Sequence, residues 1–243
     1  MNGNTARPSV EQLVIADSAL EMHEAVTAHT REPADLVRMP HILAFLADPT
    51  AYQGVGRATL DLIAVIHRLH RFGKITIVAE QGDTSTGMAG HNIFQRLGVD
   101  GVGHRFGVLK LQAVYIPRFA PGKDPDECVV TCVDFRAPFT AAREVRRRPN
   151  CAEVTIPGAG LHTTQDALGE YLFDWMLTHH ITAQLLEHED CGAYGAEGVP
   201  DSAAELQRHV DTARAWTAAA KHYGISFQPP GIIRETGEIV PLL

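Results

Sequence analysis

The chain has 243 residues, of which 45% are hydrophobic, so it can bury the core of one large domain or of one domain with a long extension. Its net charge of -8, from 29 acidic and 21 basic residues, argues against a general nucleic-acid binder, which needs a basic face. No stretch approaches the ~20 apolar residues of a membrane span, and the polar N-terminus lacks the apolar core of a signal peptide, so we expect a cytoplasmic protein.

The first part of the chain has helical character. Residues 9–29 and 34–47 are rich in helix-forming side chains, and Pro40 should interrupt the second of these segments. Residues 57–72 place their apolar side chains on one side of a helix. We therefore predict that residues 1–105 form a mainly helical extension, which serves packing because it carries no motif that indicates chemistry.

Two strands are predicted before the second half of the chain. Lys74–Glu80 is rich in β-branched residues, and residues 108–117 alternate between apolar and polar side chains. We predict that these two segments pair as an antiparallel ribbon.

Strands and helices alternate from residue 127 onward. The continuous apolar run after that residue is typical of a strand buried in a parallel sheet. Strands are predicted at 128–133, 152–156 and 181–187, helices at 164–179 and 203–223, and two short extended pieces at 231–243. This alternation predicts an α/β fold with a central, mostly parallel β-sheet flanked by helices.

Two clusters of residues that can bind metals each stand where a predicted strand ends. Cys132, Asp134 and Arg136 alternate along the chain, so their side chains point to one side. His188 and Cys191 follow the end of another strand, and a turn between them lets both reach one ion. In parallel sheets, sites form beyond the carboxyl ends of the strands. Two thiolates and one imidazole suit Zn2+ and leave a fourth coordination position for water or another ligand.

The other two cysteines, Cys128 and Cys151, are predicted to be core residues. Cys128 lies on the same strand face as Cys132, but four residues of strand span about 13 Å, which is too far for both to bind one ion. Four cysteines are also too few for a disulfide scaffold in a chain of this length.

The two clusters together resemble the signature of the β-carbonic anhydrases, Cys-x-Asp-x-Arg followed by His-x-x-Cys. Pro138 follows the first cluster as it does in that family, and Gly158-Ala159-Gly160 is similar to the family's small-residue loop. Residues 231–240 are similar to the family's last strand and turn. The resemblance covers roughly residues 120–243, and we assign residues 106–243 to a β-carbonic anhydrase-like zinc domain.

The resemblance implies a zinc enzyme that hydrates CO2 reversibly to bicarbonate through a zinc-bound hydroxide. Cys132, His188 and Cys191 would hold the Zn2+, which lowers the pKa of a bound water towards ~7. Asp134 would accept the hydrogen bond of that water, and Arg136 would hold Asp134 ionised and aimed. The family also implies a homodimer or a larger even-numbered oligomer.

Two alternatives remain open because the chain departs from the family near the site. Lys123 stands where many members carry Gln, and Ile156-Pro157 stands where many carry Arg-Asn. A hydrolase acting on COS or CS2 would use the same metal chemistry. A zinc-stabilised binding or regulatory module without turnover is the other alternative.

Overall fold

The computed structural model describes residues 12–18, 26, 34–47, 54–70, 72–80, 110–116, 124–134, 148–162, 167–195 and 202–243. Its strands are β1 (Gln12–Asp17), β2 (Ala34–Met39), β3 (Lys74–Glu80), β4 (Lys110–Ile116), β5 (Glu127–Thr131), β6 (Cys151–Thr155), β7 (Thr182–His188), β8 (Gly231–Ile233) and β9 (Ile239–Pro241). Its helices are α1 (Ile42–Ala47), α2 (Val55–His70), α3 (Ala167–Thr178), α4 (Gly192–Gly195) and α5 (Ser202–Tyr223), with a 3-10 turn at Ala159–His162.

These strands form one nine-stranded sheet in the order β4-β3-β1-β2-β6-β5-β7-β8-β9. Neighbouring strands are parallel except at two places, where β2 meets β6 and where β9 folds back on β8. Helices pack against the sheet around a large apolar core that includes the buried Trp216 and Phe173. The predicted α/β class is confirmed, with a mixed sheet.

The helices predicted at residues 9–29 and 34–47 are wrong over Gln12–Asp17 and Ala34–Met39, because β1 and β2 occupy these positions. Leu13 and Ile15 of β1 pack into the large core, whereas Val14 packs into a separate cluster on the opposite face. A strand that is buried on both faces has a continuous apolar run in its sequence. A short run of this kind fits a buried strand and part of a helix equally well. Tertiary packing has overridden local propensity here.

The rest of the predicted N-terminal extension has a mixed outcome. Helix α1 begins at Ile42, just after Pro40, and α2 confirms the amphipathic helix predicted at 57–72. The mainly helical character predicted for residues 1–105 is not confirmed, since the described residues there form β1, β2 and β3 of the main sheet as well as the helices α1 and α2. The division of the chain at residue 105 stays a prediction.

Strands β3 and β4 are paired as predicted, but the pair is parallel and not antiparallel. Lys74 lies opposite Lys110 and Glu80 lies opposite Ile116. A parallel pair needs a crossover of a dozen or more residues, and the chain between the two strands is long enough for one. Alternation along a strand sets which side chains share a face, but it does not reveal the strand's direction relative to its neighbour.

The elements predicted after residue 127 are confirmed with small shifts in their ends. Both faces of β5 are buried, since Cys128 and Val130 join the large core while Val129 packs with Leu186 and Ile233 on the other side. Helix α5 runs from Ser202 to Tyr223, and β8 and β9 form the two short extended pieces near the C-terminus. Among the described helices, none has the length and apolar composition needed to cross a membrane.

Candidate metal centre

The two predicted metal-binding clusters lie at the same edge of the sheet. Strands β5 and β7 are adjacent and parallel, with Thr131 opposite Leu186. Cys132 directly follows β5, and His188 is the last residue of β7. Parallel neighbours bring their carboxyl ends together, so the fold places Cys132 beside the turn that carries His188 and Cys191.

Cys132, His188 and Cys191 form a buried cluster that could bind a metal ion. Their ligand atoms all lie within 4.8 Å of one another, and the three residues are 5%, 2% and 1% exposed. The two Sγ atoms are 3.7 Å apart. Two thiolates bound about 2.3 Å from one tetrahedral ion would be separated by about 3.8 Å. The same distance is far too long for a disulfide, and both cysteines are free.

The imidazole of His188 is held in the orientation that a metal ligand needs. Its Nδ1 lies 2.8 Å from the carbonyl oxygen of Glu189, which can only accept a hydrogen bond. Nδ1 therefore carries the proton, and Nε2 is left as the nitrogen for the metal.

The pKa values within the cluster are strongly perturbed. Burial raises the pKa of the Cys132 thiol, but its hydrogen bond with Cys191 and the charge of His188 outweigh burial and hold the pKa well below its ordinary value. Burial lowers the pKa of His188, but the charge of Cys132 and a hydrogen bond to it raise the pKa to about 9. The hydrogen bond with Cys132 and burial together raise the pKa of Cys191. A thiolate at Cys132 is the form that binds a metal.

The other two cysteines differ from this cluster. Burial raises the pKa of Cys128 well above its ordinary value and that of Cys151 to about 11, so both stay neutral thiols. Both are 1% exposed, and their prediction as core residues is confirmed.

No protein-family model, no curated protein and no solved structure matches this chain. The likeness to the β-carbonic anhydrases therefore rests on the motif residues and on the geometry of the cluster.

Asp134 lies at the cluster, whereas Arg136 lies outside the described residues. Asp134 is 8% exposed, and its negative charge helps to raise the pKa of His188 while it partly opposes the lowering of the Cys132 pKa. The pairing of Asp134 with Arg136 stays a prediction. Lys123, one of the departures from the family, is likewise outside the described part of the chain.

The loop after β6 contacts the metal-binding cysteines directly. The backbone N–H of Gly158 donates a hydrogen bond to Cys132 Sγ over 3.3 Å. Gly158 has a positive φ of 61°, and a Cβ there would come within 3.1 Å of Ala193 Cβ. The positive φ and the close approach both favour glycine at this position. The unusual Ile156-Pro157 pair immediately precedes this glycine, so the departure from the family borders the site.

The turn from His188 to Cys191 is fixed by contacts with the β8–β9 hairpin. The carboxylate of Glu189 accepts hydrogen bonds from the Arg234 guanidinium and, over 2.9 Å, from the backbone N–H of Glu235. Burial raises the pKa of Glu189, but these hydrogen bonds outweigh it and lower that pKa. The Glu189 N–H in turn donates to the Ile233 carbonyl over 3.0 Å. The hairpin therefore holds the turn that carries two metal-binding residues.

Helix α5 holds the same turn from the other side. The Cys191 N–H donates to Glu205 Oε1 over 2.6 Å, and His209 Nε2 lies 3.5 Å from that oxygen. His209 Nδ1 is 3.3 Å from Glu187 Oε2, which is fully buried. Glu187 Oε1 also accepts hydrogen bonds from Tyr194 and from the Gly160 N–H. Glu205 therefore hydrogen-bonds α5 to the ligand turn, and His209 brings α5 within 3.3 Å of the carboxylate that holds the other loop.

Sequence reasoning missed Glu205 and the N–H of Gly158. Ser202-Ala-Ala-Glu205 has the spacing of a helix capping box, so the sequence indicates only a residue that caps its own helix. Nothing in the local pattern links Glu205 to Cys191, because the contact depends on how α5 packs against the turn.

We expect Glu205→Ala to weaken zinc binding by about 10- to 100-fold, because the ligand turn would lose the acceptor for the Cys191 N–H. Competition with a chromophoric chelator measures this affinity. Glu205→Gln should keep most of the affinity, since an amide oxygen can accept the same hydrogen bond. Asp211→Ala, at an exposed position on the same helix, is the matched control. An unchanged zinc affinity in Glu205→Ala would show that the helix does not support the site.

Proposed function

We propose that this chain is a zinc enzyme of the β-carbonic anhydrase type that catalyses the reversible hydration of CO2 to bicarbonate. The observation that carries the proposal is the buried Cys132–His188–Cys191 cluster, with Asp134 beside it, at the carboxyl edge of the sheet. The order and spacing of these residues are those of the family's motif.

Zinc is the metal that this set of residues favours. Two thiolates select a borderline-soft ion over Mg2+ or Ca2+, which prefer oxygen ligands. The Sγ–Sγ distance of 3.7 Å suits a tetrahedral ion. Three protein ligands leave one position open, as catalytic zinc sites require and structural four-ligand sites do not.

The residues of the chain have separate parts in the proposed reaction. When bound, Zn2+ lowers the pKa of a coordinated water towards ~7. Cys132, His188 and Cys191 hold the metal, and the Gly158 N–H stabilises negative charge on the Cys132 sulfur. Asp134 would accept a hydrogen bond from the zinc-bound water or hydroxide and so orient this nucleophile. Arg136 would keep Asp134 ionised and directed towards the nucleophile.

Stopped-flow CO2 hydration by the zinc-loaded chain tests this proposal, with hydrolysis of COS and CS2 measured on the same sample. We expect CO2 to be turned over fastest, and removal of zinc by a chelator should abolish the rate. Faster hydrolysis of COS or CS2 would reassign the substrate. A chain that holds one zinc but turns over none of the three gases would be a zinc-stabilised binding or regulatory module.

A further inference from the structure

The nine-stranded sheet contains two sets of four parallel strands with the same internal order. In the first unit, residues 12–116, the order is β2-β1-β3-β4, and in the second unit, residues 127–233, it is β6-β5-β7-β8. Each unit therefore begins with a central strand, adds the second strand on one side, and places the third and fourth strands on the other side. Strand β9 adds to the free edge of the second unit.

The spacing along the chain repeats as well. In the first unit, Gln12 pairs with Ala34 and with Lys74, which are 22 and 62 residues further on. In the second unit, Glu127 pairs with Cys151 and with Thr182, which are 24 and 55 residues further on. A helix precedes the third strand in both units, and the same short gap separates α2 from β3 and α3 from β7. Order, direction and spacing thus agree between the two units.

The two units meet about an approximate two-fold axis. In the antiparallel pair of β2 and β6, Arg38 lies opposite Thr155, and each is the fifth residue of its strand. The corresponding helices α2 and α3 also contact each other. Contacts between equivalent positions are the mark of an isologous interface, the kind that joins two copies in a symmetric dimer.

The seam between the units, defined by β2, β6 and the Val133 segment, is held by hydrogen bonds and a buried ion pair. It extends to the segment that carries two residues of the metal centre. The Arg38 N–H donates to Thr155 Oγ1 over 2.7 Å, and the buried Arg38 guanidinium lies 3.3 Å from Glu153. The Leu36 N–H donates to the carbonyl of Val133 over 3.2 Å. Val133 stands between Cys132 and Asp134, so the first unit directly supports the segment that carries these two site residues.

The metal-binding residues are not repeated in the first unit. Register places Asp17 where the second unit has Cys132, and Glu80 where it has His188. All four cysteines of the chain lie after residue 127. The Asp17 carboxylate instead accepts a hydrogen bond from the His41 backbone N–H over 2.8 Å. The backbone carbonyl of Asp17 accepts a hydrogen bond from the Arg38 side chain. The first unit has no thiolate with which to build a second site of this kind.

We propose that the chain is a fused pair of one duplicated unit, in which the first unit serves as the built-in partner of the metal-binding second unit. Each chain closes its own seam and holds one metal ion at a thiolate site. The homodimer predicted from the sequence is then not required to complete the sheet. This inference concerns architecture and metal content, so it stands or falls independently of CO2 hydration.

The metal content of the whole chain is the first test. We expect a Co2+ titration, followed by cobalt–thiolate absorption, to reach its end point at one equivalent per chain. An end point at two equivalents, or no cobalt–thiolate band, would overturn the proposal.

The location of the seam is the second test. Residues directly opposite each other in an antiparallel pair lie within disulfide range, so Arg38→Cys combined with Thr155→Cys should cross-link on oxidation. We expect the double variant to lose two free thiols on oxidation while it keeps the mass of a single chain on non-reducing electrophoresis, with each single variant as a control. A two-chain product would show that the seam forms between chains and would overturn the proposal.

The wild-type chain supplies an independent measurement if the buried Arg38 tolerates no change. A seam within one chain predicts that the chain stays folded when it is diluted to a monomer, because closing the seam is unimolecular. Unfolding of the chain on dilution to the monomer would contradict the proposal.

Discussion

Cys191→Ser is expected to lose most of its zinc. A serine hydroxyl stays protonated at neutral pH and is a poor replacement for a thiolate, so only Cys132 and His188 would remain as strong ligands. The loss of affinity should exceed the roughly 10- to 100-fold that removal of an outer hydrogen-bond partner causes. Zinc content after dialysis against a chelator, measured on the purified chain, gives the result directly.

Cys151→Ser is the matched control for this experiment. Cys151 is as deeply buried as Cys191, but it lies in β6 and is a neutral thiol, so its replacement should leave the zinc content unchanged. If Cys191→Ser kept a full equivalent of zinc, Cys191 would not be a ligand. If both variants lost zinc equally, general destabilisation would explain the loss.

Asp134→Ala is expected to keep its zinc and to lose CO2 hydration by about 100- to 10,000-fold. The three proposed ligands remain in this variant. The carboxylate that would accept a hydrogen bond from the zinc-bound water or hydroxide is gone. Zinc content and the pH–rate profile should be measured on the same sample. A rate close to that of the wild type, with zinc bound, would remove Asp134 from the mechanism.

Arg136→Ala separates the role of the arginine from that of the aspartate. Without its bidentate partner, the Asp134 carboxylate is freer to swing to the metal and occupy the open position. We expect this variant to keep zinc and to be inactive at neutral pH. Wild-type-like rates across neutral pH would show that the Asp134–Arg136 pair does not control access to the metal.

The metal centre could be predicted from the sequence because its geometry follows from local rules. Cys132 and His188 each stand where a predicted strand ends, and parallel strands bring such ends to one edge of a sheet. The N-terminal half could not be predicted in the same way. Its Leu-Val-Ile-Ala run at 13–16 is short, and an apolar run of that length fits a buried strand as well as part of a helix.

The supporting contacts depend on packing across long sequence separations. Glu205 reaches Cys191 only because α5 lies along the turn after β7, and Leu36 reaches Val133 only because β2 and β6 meet at the seam. The repeated strand order is invisible in the residues themselves, since side chains at equivalent positions, such as Asp17 and Cys132, have diverged. Topology retains this relationship where sequence does not.

X-ray absorption at the zinc edge tests the central claim most directly, because it counts the atoms bound to the metal in the intact chain. The proposed site predicts two sulfur atoms at about 2.3 Å, with the remaining ligands nitrogen or oxygen at about 2.0–2.2 Å. A shell of four sulfurs, or one with no sulfur, would contradict the assignment of Cys132, His188 and Cys191 as the zinc ligands.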